Sequence, residues 1–146
     1  MLGDLLQEHK LKLVQFAAPA GETKGLAAVP GKEDEFRHGL KVAVQYAKAL
    51  GCANVHLMSG VSGDGQANTV FRENLDYGVK YLLDHGLVPL LEVICTEAAP
   101  GYFFSDFHKA QDALERFPDL RLILDLPCSY PDAGCDRHAS GLSSSN

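Results

Sequence analysis

A chain of 146 residues with 46% hydrophobic and 22% charged side chains is long enough for one domain with a true core. Its formal net charge of −6 speaks against nucleic acid and acidic membrane surfaces as partners. No apolar run approaches the roughly 20 residues that span a bilayer, and Asp4 and Glu8 stand where a secretion signal needs a basic and then an apolar stretch, so the expected compartment is the cytoplasm.

Residues 1–10 read as the end of a helix, with Leu2, Leu5 and Leu6 on one face and His9 and Lys10 suited to its C-terminal turn. Leu11 to Phe16 predicts a strand, followed by an Ala-, Gly- and Pro-rich loop to Gly31. Glu33, Asp34 and Glu35 place acid at the positive end of the next helix. Its Phe36, Leu40, Ala43, Val44, Ala47 and Leu50 recur at three- and four-residue steps, which predicts one buried stripe that ends at Gly51.

Ala53 to Met58 is the next predicted strand, and residues 59–68 form a Gly-rich loop. Asn68 or Thr69 is the expected cap of a helix carrying Phe71, Leu75, Val79, Leu82 and Leu83 and closed by Gly86. Gly86 to Thr96 is a short apolar run with one carboxylate inside it, and reads as a buried strand. Alternation puts Leu90, Glu92 and Ile94 on one face and Leu91 and Val93 on the other. An ionised carboxylate costs several kcal/mol to bury alone. Glu92 therefore needs a cation, a metal or a hydrogen-bonding substrate, or else sits at a strand end beside a Lys, an Arg or solvent. After a loop over residues 97–104, Ser105 is the expected cap of a helix with Phe107, Ala110, Leu114 and Phe117, stopped by Pro118. Leu120 to Asp125 is the fourth predicted strand. Residues 126–146 hold no apolar period and are predicted to be a poorly ordered tail.

Strands that alternate with helices are expected to be parallel and joined by right-handed crossovers, an α/β chain. Two architectures accommodate that order: a doubly wound open sheet, and part of a (β/α)8 barrel. The loop glycines run Gly60-x-x-Gly63-x-Gly65, which is not the order of a dinucleotide loop, and no P-loop is present, so no nucleotide is expected. The barrel reading draws on the carboxylates. Glu92 lies near the C-terminal end of one strand and Asp125 ends the next, the end at which barrel active sites are built. Two acids there would suit a hard divalent cation such as Mg or Mn. His56 sits two residues before the end of the preceding strand and would face the same mouth, though a strand histidine is more often a packed core residue. Asp125 alone equally suits a turn. Cys52, Cys95, Cys128 and Cys135 are expected to be reduced thiols. Cys128, Cys135 and His138 do not have a standard zinc spacing.

Several runs together carry a family resemblance: Gly25 to Gly31, Tyr46 to Gly51, Val55 to Met58, Phe71 to Leu75, Leu90 to Ile94, and Pro100 to Phe103 on to Asp125. Over about Leu5 to Asp125 the chain resembles hydroxypyruvate isomerase of the xylose-isomerase-like barrels. The resemblance implies interconversion of hydroxypyruvate and 2-hydroxy-3-oxopropanoate, a small 2-oxo/hydroxy acid pair, by carboxylate-mediated proton transfer. It implies that Glu92 is the catalytic glutamate and also a metal ligand, with Asp125 as a second metal ligand; His56 is the expected substrate-binding residue. The chain departs from the family pattern at Glu92-Val-Ile-Cys95, where Glu-Pro-Ile-Asn is usual, and at Cys128, where a His is usual. The expectation is a truncated barrel of about four strands over residues 1–125. Such a chain is expected to self-associate through open sheet edges. Two alternatives to an active isomerase are a catalytically silent α/β fragment that acts by subunit association and a related metal-dependent sugar epimerase.

Overall fold

The computed structural model describes residues 2–124, so Asp125 and the predicted tail lie outside the described residues. Helices and strands alternate: α1 (Leu2–Glu8), β1 (Phe16–Ala17), α2 (Glu33–Leu50), β2 (Asn54–His56), α3 (Ala67–Asp84), β3 (Val88–Glu92), α4 (Phe107–Arg116) and β4 (Arg121–Ile123). All four strands are parallel and lie in the order β1-β2-β3-β4. A doubly wound sheet reverses its strand order at a switch point. This sheet does not reverse, and its sequential order is that of consecutive barrel strands.

Most of the stripe read from sequence on α2 is buried: Phe36, Leu40, Ala43, Val44 and Ala47 join the core, while Leu50 at the helix end is only half-buried. Gly51 takes φ +63° beyond the helix end, and the helix closes there as the sequence predicts. On α3 the buried residues are Ala67, Val70, Phe71, Asn74, Leu75, Gly78, Val79 and Leu82, and Leu83, expected in that stripe, is exposed. Gly78 is small for a packing reason: an added Cβ would stand 3.3 Å from Leu40 and from Phe36. These helices lie against the sheet face that carries Val55, Leu57 and Leu91. Strand alternation turns Asn54, His56, Leu90 and Glu92 to the opposite face.

Several boundaries differ from the sequence reading: α1 ends at Glu8, β2 is Asn54–His56 rather than Ala53–Met58, β4 starts at Arg121 rather than Leu120, and three further differences have a local reason. The first strand is Phe16–Ala17 rather than Leu11–Phe16, and Leu11 and Val14 are exposed. Its neighbour β2 begins only at Asn54, one residue before the Val55 that pairs with Phe16, so residues before Gln15 have no ladder to join. There the Asn54 side-chain amide donates instead to the Val14 carbonyl at 2.6 Å. Helix α3 starts at Ala67, ahead of both expected caps, and the Asp64 carboxylate accepts the Gln66 N–H just before it. Helix α4 is capped by Asp106 rather than Ser105: the Asp106 carboxylate accepts the Lys109 N–H at 2.9 Å. That N–H and the Lys109 ammonium outweigh the cost of partial burial and lower the Asp106 pKa.

Candidate active site

Three βα loops meet at the C-terminal end of the sheet, and Ser59 joins them. Its carbonyl accepts the Ala28 N–H from the loop after β1 at 2.7 Å. Its N–H donates to the Tyr102 hydroxyl, and its own hydroxyl accepts the Phe104 N–H, both at 3.1 Å and both from the loop after β3. Ser59 is fully buried, so each of these groups depends on the others for its hydrogen bond. Gly25 and Gly60 allow the first two loops to touch. A Cβ on Gly60 would stand 2.2 Å from the Gly25 carbonyl oxygen, and one on Gly25 would stand 2.5 Å from the Met58 oxygen. The two residues after Gly60 are anchored as well, the Val61 N–H donating to the Thr23 carbonyl and the Ser62 N–H to the Gly101 carbonyl. Asn74, also fully buried on α3, donates to the Ala27 carbonyl at 3.0 Å and fixes the first loop from below.

Beneath this roof, β2 and β3 present His56 and Glu92 on one face. His56 pairs in register with Leu90, which places Glu92 one alternation further toward the C-terminal end. The His56 Nδ1 lies 3.8 Å from a Glu92 carboxylate oxygen. That is too long for a hydrogen bond. Nor is it an ion pair at neutral pH, because burial pushes the His56 imidazole from its usual 6.5 down to about 4. The Nε2 edge is shut away from solvent and has no partner among the described residues, so Nδ1 is the edge that faces Glu92. The Glu92 side chain is 20% exposed, enough for a small molecule to reach it. Tyr102 lies close enough to feel the Glu92 charge: burial raises its phenol pKa, and that charge adds to the rise. It is a neutral hydroxyl at the edge of the site.

The sequence-derived pair His56 and Glu92 is therefore brought together, while Asp125 lies outside the described residues. Among the described residues no group of three or more His, Cys, Asp or Glu side chains converges as a metal site would. Glu92 and His56 supply one oxygen donor and one nitrogen donor, which by themselves are fewer than a hard cation takes. Ser59 and Tyr102 escape a reading by periodicity. Each sits in a loop, and their only local signals are a small residue directly after a strand and a tyrosine in a Pro-Gly turn. No helix of the described residues is long and apolar enough to cross a membrane.

Residues 1–130 match the family model of the xylose isomerase-like TIM barrel. A mouse protein that carries a provisional hydroxypyruvate isomerase name is 39% identical over 86% of this chain and 50% of its own length. The hydroxypyruvate isomerase of Escherichia coli is 30% identical over 87% of this chain and 49% of its own. The crystal structure of an AP endonuclease, family 2, from Brucella melitensis superimposes with a TM-score of 0.78 at 35% identity, covering 86% of this chain and 52% of that one. The chain spans about half the length of the curated relatives it matches.

Proposed function

The chain belongs to the xylose isomerase-like TIM barrel family, and on that basis we propose that it carries the catalytic glutamate of a hydroxypyruvate isomerase. The observation behind this reading is the placement of Glu92: a partly exposed carboxylate at the C-terminal end of a parallel strand, beside a neutral, buried His56. In the proposed reaction the Glu92 carboxylate takes a proton from C3 of hydroxypyruvate. The electron pair of that C–H bond forms the C2–C3 double bond of an enediol as the C2 oxygen gains a proton. Return of a proton from Glu92 to C2, with loss of the O3 proton, leaves an aldehyde at C3 and an alcohol at C2. C3 is oxidised and C2 reduced within one molecule, so no external redox partner is needed.

His56 is proposed to meet the substrate through its Nδ1 edge. As a neutral group it donates or accepts a hydrogen bond without competing with the substrate carboxylate for charge. A divalent cation, Mg or Mn, is proposed to be held by Glu92 and Asp125; when bound it would neutralise the charge that develops on the enediol oxygens. The compartment proposed for this chemistry is the cytoplasm.

Deuterium uptake tests the first step alone. The chain is incubated with hydroxypyruvate in heavy water with Mg or Mn, and loss of the C3 proton signal is followed by NMR. The wild-type chain is expected to exchange, and Glu92→Gln to exchange about 10²-fold more slowly per folded molecule. An unchanged rate removes Glu92 from the mechanism. If the wild-type chain itself exchanges nothing, the silent-fragment alternative stands. If it exchanges sugars instead, the epimerase alternative stands.

A further inference from the structure

The loops over the site contain one backbone outlier. Lys24, in the loop after β1, takes φ +56°, the left-handed region in which a side chain is uncommon. The turn that begins at Ala20 closes with the Gly25 N–H donating to the Ala20 carbonyl at 2.8 Å, and Lys24 is the residue just before that N–H. Glycine takes such a position without strain. The other left-handed side chain among the described residues, Lys10, stands at the C-terminal end of α1, where that conformation is routine. Lys24 is instead fixed from both sides. The Thr23 carbonyl accepts the Val61 N–H at 2.8 Å, and the Thr23 hydroxyl donates to the Gly25 carbonyl at 2.7 Å. Gly25 in turn forms an antiparallel bridge with Ser59. Ser59 and Val61 belong to the loop that leaves the His56 strand. Lys24 is exposed, and among the described residues its ammonium meets no carboxylate.

The proposed substrate, hydroxypyruvate, is itself a carboxylate. Bringing it beside Glu92 sets two like charges close together, and the His56 next to them is neutral. We propose that Lys24 binds the carboxylate of the substrate, so that the loop after β1 selects 2-oxo/hydroxy acids over uncharged hydroxyketones. The proposal rests on the proposed reaction at Glu92 and adds the group that recognises the acid end of its substrate. An ammonium and a carboxylate form a charge-assisted hydrogen bond, stronger than one between neutral groups. The flanking bonds of Thr23 and Gly25 fix the backbone from which the lysine stem departs, which is how a strained residue is held at a binding site. A glycine at this position would relax the turn and leave nothing to hold an anion.

The test compares C–H exchange in heavy water for hydroxypyruvate and for hydroxyacetone, which has the same hydroxymethyl ketone with a methyl group in place of the carboxylate. The wild-type chain is expected to prefer hydroxypyruvate. Lys24→Gln is expected to lower that preference about tenfold or more, through a higher half-saturating concentration rather than a slower limiting rate. Lys24→Arg keeps a cation and is expected to retain most of the preference. Lys24→Gly is expected to lose it as Lys24→Gln does, and yet to melt at a higher temperature than Lys24→Gln, because glycine accepts the left-handed backbone. An unchanged preference in Lys24→Gln overturns the proposal. So does an equal loss of exchange with both compounds, or a Lys24→Gly chain no more stable than Lys24→Gln, since the lysine would then serve the fold. A wild-type chain that exchanges both compounds equally removes Lys24 alone. One that exchanges neither removes the reading of Glu92, and this proposal with it.

Discussion

His56 reports its own burial through pH. Its imidazole holds a proton only below about pH 4 when folded, against 6.5 when unfolded. Between those values the unfolded chain carries a proton that the folded chain refuses, so stability falls as pH falls through that window. The contribution is about 3 kcal/mol, present above pH 6.5 and lost by about pH 4. Urea melts across the window, compared between wild type and His56→Asn, are expected to show this component only in the wild type. Identical pH dependence in the two would place the imidazole in solvent. Ser59 is expected to matter for a different reason. Ser59→Ala leaves the Phe104 N–H buried without its acceptor, at a cost of about 1–3 kcal/mol in unfolding free energy. A loss below about half a kcal/mol would mean that water replaces the hydroxyl.

Among the elements, α2 is the one that the sequence displays most clearly, because a long amphipathic helix with a terminal glycine encodes its own ends. Leu40 is fully buried in its stripe and touches the space kept open by Gly78. Leu40→Ala is expected to cost roughly 2–5 kcal/mol, read as a shift in the denaturant midpoint. A negligible shift would mean that α2 is not docked on the sheet. Glu92 and His56 were legible for a related reason: each is a polar residue inside an apolar strand, and alternation fixes the face. What sequence does not display is whatever depends on a neighbour. The edge strand β1 is short because its partner starts late. The α4 cap falls on Asp106 because its extended backbone aims the carboxylate at the Lys109 N–H, a choice between adjacent Ser and Asp that composition leaves open. The roof at Ser59 is assembled from three loops far apart in the chain, so no single stretch carries its signal.

For the molecule as a whole, the balance of buried and exposed surface decides how stability responds to concentration. The helix side of the sheet is well covered: Leu40, Val55, Leu57, Leu82, Leu91 and Phe104 are all sealed. Of the large apolar side chains left outside, Leu2, Leu5, Leu11 and Val14 lie before or on the approach to β1, Phe107, Leu114 and Leu124 lie around β4, and Tyr46 and Leu83 stand on α2 and α3. Exposed apolar groups scattered singly carry no message, but two clusters that flank strand edges unpaired among the described residues are surfaces through which the chain is expected to associate. If folding and pairing are linked, mass action makes the folded state more stable as the chain becomes more concentrated. A tenfold rise in concentration is then expected to stabilise the folded dimer by about 1.4 kcal/mol, visible as a steady upward shift of the melting temperature across a dilution series. Leu114→Arg is expected to flatten that dependence without lowering the melting point of the dilute chain by a comparable amount, because Leu114 is already partly in solvent there. A wild-type melting temperature independent of concentration would show that folding is not linked to association.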